Sequence, residues 1–353
     1  MTRWPLFFRY AAVLPLSLAL SMALSAALAV ADPLVIAHRG ASGYLPEHTL
    51  AAKALAHGMG ADYIEQDVVL TADDVPIVLH DIHLEGTTDV ARRFPARARG
   101  DGHWYAIDFT LAEIRTLAAG ERHGADGRPA FPQRFPADRA LFSIPTLAEE
   151  IALIDGLNRS RGVTAGLYIE LKGDHFHRAE GKDLPAAVLD VLEAAGWHRA
   201  GSPVFLQSFE PATLRRLADE FHSPLPRIQL IAENDWGEVP GVDYEALVTD
   251  AGLAAVADYA AGIGPWVGQL YRGRGEDGEA QVTDLAERAH AAGLLVHPYT
   301  FRSDALPAGI DSFDALLALF VDRLGVDGLF TDFPDRARAF LQRDPQRNHQ
   351  EKP

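Results

Sequence analysis

The chain has 353 residues, 48% hydrophobic and 23% charged, a globular composition long enough to bury a large core. Its formal charge of −17 repels polyanions at long range, which argues against nucleic acid or an anionic membrane surface as a partner. It contains no cysteine, so no disulfide supports the fold, and any phosphate it handles must be met by a local reversal of charge from a metal ion and a few placed cations.

At the start, Arg3 and Arg9 precede an apolar run over 10–28, which is followed by Ala29, Val30 and Ala31. Such a run approaches the ~20 residues of a membrane span, but the small residues before Asp32 mark a cleavage site. Residues 1–31 therefore read as a signal peptide. Export by the general secretory route is expected, with no stable membrane association after cleavage. The folded body is expected over 32–345, with a frayed tail at 346–353.

Short apolar runs at 34–37, 63–69, 166–171, 203–207, 227–231, 260–264, 294–298 and 326–330 have the character of parallel strands covered on both faces. Helices are expected to begin near Thr49, Thr146, Lys182, Glu210, Thr283, Ser312 and Pro334. Thr49 and Thr146 can cap, Glu149 completes a capping box, and Gly58, Gly196 and Gly293 read as stops. This βα rhythm predicts an α/β chain folded as a (β/α)₈ TIM barrel, with chemistry at the C-terminal ends of its strands. A doubly wound open sheet is the alternative.

One segment breaks the rhythm. Residues 76–80 are strand-like but follow the second strand too closely for a parallel crossover, so they must return antiparallel through Ala72, Asp73 and Asp74. That return is expected to place His80 opposite Asp67. Residues 82–143, with a helix-like piece at 111–118, read as an insertion over the C-terminal face. Without them and the leader the chain is close to the ~250 residues of a plain barrel.

At the end of the first strand His38, Arg39 and Gly40 present an imidazole and a guanidinium together; an Arg fork matches phosphate oxygens, although a carbonyl-bonded His and a surface Arg fit the tripeptide too. On the second strand Glu65 and Asp67 share a face by their i, i+2 spacing. Two carboxylates facing a barrel interior need a cation, which makes them candidate ligands for a hard metal; the alternative is a solvent-facing acidic pair. Glu170 and Lys172 repeat the spacing, either as a further ligand and a phosphate-neutralising ammonium or as an exposed ion pair. His80, followed by Asp81, joins His38 as a candidate for the base and the acid that phosphodiester hydrolysis requires. His57, His123, His198, His222 and His290 read as surface or structural.

Taken in order, His38-Arg39-Gly40-Ala41, Pro46-Glu47-His48-Thr49, Glu65-x-Asp67-Val68, Thr71-x-Asp73, Val78-Leu79-His80-Asp81 and Glu170-x-Lys172 resemble the glycerophosphodiester phosphodiesterase family. AIDFTLAEI at 106–114, EGKDL at 180–184, HPYTFRSDALP at 297–307 and GLFTDFPD at 328–335 resemble its periplasmic bacterial branch. The resemblance implies hydrolysis of glycerophosphocholine, glycerophosphoethanolamine and similar diesters to sn-glycerol 3-phosphate and an alcohol. It implies His38 and His80 as the acid–base pair, Arg39 and Lys172 on the phosphate, and Glu65, Asp67 and Glu170 on one divalent metal, calcium before magnesium. Gln207, Phe209, Tyr299 and Phe301 can line the glycerol pocket, or serve as core. Glu47 and His48 either organise the start of the first helix or touch substrate and are left outside the catalytic set; at His48 many relatives carry Asn, though the periplasmic branch tolerates His. The rival readings are a phospholipase acting on intact lipids and a non-catalytic exported binding protein.

Overall fold

The structure, a computed structural model, describes Met1 and residues 32–124 and 126–343. The expected leader at 1–31 and tail at 346–353 fall outside these residues, Met1 apart. The strands are β1 (Leu34–Ala37), β2 (Tyr63–Leu70), β3 (Pro76–Val78), β4 (Gly166–Leu171), β5 (Val204–Ser208), β6 (Arg227–Ile231), β7 (Gly262–Pro265), β8 (Tyr271–Arg274), β9 (Ala280–Val282), β10 (Leu295–Val296) and β11 (Gly328–Thr331). Eight of them run parallel in the order β10-β7-β6-β5-β4-β2-β1-β11. The two ends of this sheet nearly close on each other, since Asp327 N donates to Val296 O and Phe330 N to Pro298 O, each at 3.0 Å. The chain is a TIM barrel, and the open-sheet alternative falls.

Helix starts lie within two residues of their sequence signals, at Leu50, Leu147, Leu184, Pro211, Leu285, Phe313 and Pro334. Thr146 and Glu149 form the capping box, each satisfying a backbone N–H that the first turn leaves free. Gly196 and Gly293 follow their helices in the left-handed region, but Gly58 is still helical and Gly60, with φ 80°, makes the reversal. The hairpin of β8 and β9 and the helix Asp250–Ala257 have no counterpart among the expected elements. Tyr-Arg-Gly-Arg lacks a strand's apolar alternation, and the alanines of the helix carry little periodicity.

Ile36, Tyr168, Phe205, Ile228 and Phe330 fill the barrel interior. A larger apolar layer packs the helices on the outside of the strands. The insertion has its own small core, in which Leu84, Val90, Phe109 and Ile114 pack on Val69 and Ile77 of the hairpin. Of the piece expected at 111–118, only Leu111–Ile114 is helical.

Candidate active site

Alternation along the strands sets the site on top of the aromatic interior. Two residues beyond four of the five interior hydrophobes, on the same face, stands a polar group: His38 above Ile36, Glu170 above Tyr168, Gln207 above Phe205 and Asp332 above Phe330; above Ile228 stands Leu230. Together they open a cavity of about 210 Å³ lined by His38, Arg39, Asp67, His80, Glu170 and Lys172, with Gln207, Phe209 and Tyr299 against them. Glu65 lies beneath this cavity, buried, with Oε2 accepting the backbone N–H of Arg39 at 2.5 Å. Phe301 does not reach it and packs outside the barrel on Phe320 at 4.9 Å.

The hairpin register corrects one expectation. Val68 pairs with Val78 and Leu79 N donates to Asp67 O at 2.9 Å, so Leu79, not His80, stands across from Asp67. His80 lies one step further on, at the cavity wall.

Three acids crowd together. Asp67 and Glu170 are directly paired across β2 and β4, and both are buried with Glu65. Burial, then the charge of Asp67, pushes the Glu65 carboxyl well up. Burial does the same for Glu170, against Lys172 and assisted by Asp67. For Asp67, burial is outweighed by His80, His48 and Arg39, which hold it well below the usual range. Its Oδ1 is buried without a hydrogen-bond partner. His48, Glu65 and Asp67 bring one ligand atom each within 4.8 Å of one another. Crowded carboxylates with an unpaired buried oxygen fit a divalent cation that prefers oxygen donors.

Each of the two imidazoles is anchored by a carboxylate. His38 Nδ1 lies 2.6 Å from Asp332 Oδ1, while Asp332 Oδ2 accepts from Arg134 at 2.7 Å and Arg302 at 2.8 Å. Although burial raises it, Asp332 is held far below the usual range by Arg302, His38 and Arg134. An ionised carboxylate only accepts, so His38 carries its proton on Nδ1 and leaves Nε2 free. Burial, then Arg39, lowers His38 to about 4. His80 Nδ1 lies 2.5 Å from Asp81 Oδ1, and Asp81 Oδ2 accepts from Arg122 at 2.7 Å. Burial, Arg39 and Lys172 lower His80 as well.

The cations are braced in turn. Arg39 Nη1 donates to both oxygens of Glu47 at 3.1 Å, and Arg122 binds the same carboxylate at 2.6 and 2.9 Å. Lys172 Nζ sits 3.0 Å from Glu170 and 3.3 Å from Glu238, whose charges keep it protonated against burial.

Sequence reasoning missed Asp332, Arg122, Arg134 and Arg302, as well as Trp236 and Trp266 on the far wall of the cavity. For Asp332 a signal existed: it follows Phe330 by two residues, as Glu170 follows Tyr168. Arg122 and Arg134 arrive across the insertion and carry no local signature. Glu47 and His48, left outside the catalytic set, contact Arg39 and Asp67 directly.

Proton transfer by a pair of imidazoles at a phosphorus centre requires its oxygens to be neutralised, and guanidinium, ammonium and carboxylate groups converge here in a way that serves it. Fold and site together define a barrel phosphodiesterase. The sequence pattern of the glycerophosphoryl diester phosphodiesterase family matches residues 38–336, and the chain belongs to that family. It is 39% identical over 328 residues to a glycerophosphodiester phosphodiesterase of Haemophilus influenzae, covering 88% of this chain and 90% of that one. A Treponema pallidum protein of the same name is 34% identical, over 88% of this chain and 92% of its own. A crystal structure from Silicibacter pomeroyi, described as a putative glycerophosphoryl diester phosphodiesterase, superposes with a TM-score of 0.65 at 28% identity, covering 89% of this chain and 94% of that one. An Oleispira antarctica phosphodiesterase, solved with the product sn-glycerol-3-phosphate, gives 0.60 at 25% identity, over 88% and 97%.

Proposed function

We propose that the chain hydrolyses glycerophosphodiesters, among them glycerophosphocholine and glycerophosphoethanolamine, to sn-glycerol 3-phosphate and a free alcohol. The observation that carries this reading is the meeting of His38 and His80 at one cavity with both Nδ1 atoms committed to carboxylates. One free Nε2 takes the proton of the attacking oxygen. The other imidazole enters protonated and gives its proton to the departing alkoxide. An anionic diester between the rings opposes the burial that lowers both, which restores the proton the acid needs. Arg39 grips phosphate oxygens through its fork, and Lys172 meets another as a point charge.

Glu65, Asp67 and Glu170 would hold the divalent cation, since all their donors are oxygens, which suit calcium and magnesium alike; the resemblance to the periplasmic branch supports calcium before magnesium. When bound, that cation supplies positive charge to the phosphate oxygens as they become more negative. The leader with Arg3, Arg9 and the small residues before Asp32 supports export to the periplasm and membership of the periplasmic branch. Recovery of a mature chain beginning at Asp32 from the periplasmic fraction tests this part.

Activity is tested by incubating the protein with glycerophosphoethanolamine, with and without chelator, and measuring sn-glycerol 3-phosphate. Cation-dependent release is expected; no release would end the reading. Phosphatidylcholine, offered in parallel, should remain intact. If it is cleaved faster than glycerophosphocholine, the phospholipase reading replaces this one.

A further inference from the structure

Behind the three acids runs a chain of fully buried polar groups with no part in the steps above. Glu150 Oε2 lies 3.3 Å from Lys53 Nζ, and Lys53, with none of its surface exposed, also donates to the carbonyl of Glu65. Its third contact is His48 Nδ1 at 3.2 Å. From the other side of that ring, His48 Nε2 lies 2.7 Å from Asp67 Oδ2.

An ammonium group donates and cannot accept, so His48 Nδ1 must be the acceptor of the Lys53 contact. The single proton of the neutral ring then sits on Nε2, where it donates to Asp67 Oδ2. This leaves Asp67 Oδ1, buried and without a partner, as the oxygen free for another ligand. We propose that His48 is a positioning residue rather than a metal ligand. Held by Lys53 as its Nε2–H tautomer, it ties down one oxygen of Asp67 and turns the other toward the cation site.

The inference rests on the reading of Glu65, Asp67 and Glu170 as that site. It also fixes the character of the donors. Were His48 to ligate through Nε2, the site would mix nitrogen with oxygen and favour transition metals; with that nitrogen protonated, the donors are oxygens and suit a hard cation. The backbone constrains the replacements, because His48 has φ 62°. Asn is among the residues that adopt this left-handed conformation with least strain, and its amide can replace the lost N–H donor.

The test is calorimetric titration of calcium into metal-stripped protein, comparing wild type, His48→Ala and His48→Asn. His48→Ala should weaken calcium about 10- to 100-fold, the range for lost hydrogen bonds to metal-ligating groups. His48→Asn should restore most of the affinity; because Asn also relieves backbone strain at φ 62°, the state of Nε2 is what separates hydrogen bonding to Asp67 from a merely structural role. In parallel, the imidazole ¹⁵N spectrum, with the His48 signal identified by its loss in His48→Asn, should show Nε2 protonated before and after calcium. Equal affinity in His48→Ala and wild type, or loss of the Nε2 proton on adding calcium, overturns the proposal. The spectrum decides the matter even if His48→Ala fails to fold. Absence of calcium binding by wild type would overturn the three-acid site and this inference together, and is distinguishable from wild-type binding that ignores position 48.

Discussion

Replacing Asp332 by Asn removes one charge and keeps the shape, and the structure says what that does. Asp332 is 1% exposed and holds three donors: His38 Nδ1, Arg134 and Arg302. Losing the carboxylate leaves two guanidinium groups facing a neutral amide. Arg134 is 4% exposed and Arg302 28%, so most of the penalty falls on Arg134; since Arg134 keeps Asp304 at 2.9 and 3.2 Å, the loss is that of charge-assisted hydrogen bonds, about 1.5–3 kcal/mol of stability. The kinetic effect is separate. An amide can present N–H to His38 and force its proton onto Nε2, and an analogous swap in a serine protease lowers turnover ~10⁴-fold. Turnover of glycerophosphoethanolamine, measured well below the variant's melting temperature, should fall by roughly 10³- to 10⁴-fold. The charge and hydrogen bond of Asp332 both raise the His38 pKa, so the variant's His38 should titrate lower than in the wild type. If His38 is the base, the acidic limb of the rate profile moves to lower pH; if it is the acid, the alkaline limb does. Turnover within tenfold of wild type, in a variant shown to be destabilised, would refute the orienting role.

His80→Ala should reduce turnover by about 10²- to 10⁴-fold with calcium affinity retained, as checked by the coupled assay and calorimetry. His297, buried with Nδ1 2.9 Å from the Tyr168 hydroxyl, has its pKa lowered by burial from 6.5 to about 4. The group is depressed in the fold, so its contribution is complete above the ordinary value and is lost as pH falls toward 4. Denaturant titrations should show up to about 3 kcal/mol of pH dependence from this residue, and His297→Gln should flatten that slope. Thr146→Ala breaks the capping box and should cost ~1 kcal/mol without changing turnover of the folded protein. Chelation should lower the melting temperature reversibly, since a cation that binds only the fold stabilises it by mass action. Differential scanning with calcium added back provides the check.

The barrel was legible because its strands are short apolar runs between strong helix signals, so Val35, Leu167, Leu206 and Leu329 announce themselves. Strand positions on one face were legible for the same reason: the two-residue spacing of Glu65 with Asp67, and of Glu170 with Lys172, survives folding unchanged. The registry of the hairpin was not. A turn sequence fixes that a chain reverses but only weakly which residues end up opposite, and His80 fell one position from its expected place. Arg122 and Arg134 were out of reach because an irregular insertion has no period from which to place them. His48 was visible as a residue but not as a donor to Asp67, since its direction depends on a left-handed backbone and on Lys53 one turn into the next helix.

The proposed hydrolysis requires a cation held by three acids within reach of two imidazoles. A crystal structure of the protein with calcium and sn-glycerol 3-phosphate measures this directly. One calcium should lie among the carboxylates of Glu65, Asp67 and Glu170, touching a phosphate oxygen that sits between the Nε2 atoms of His38 and His80. Calcium bound away from these acids, or a phosphate beyond the reach of both imidazoles, would contradict it.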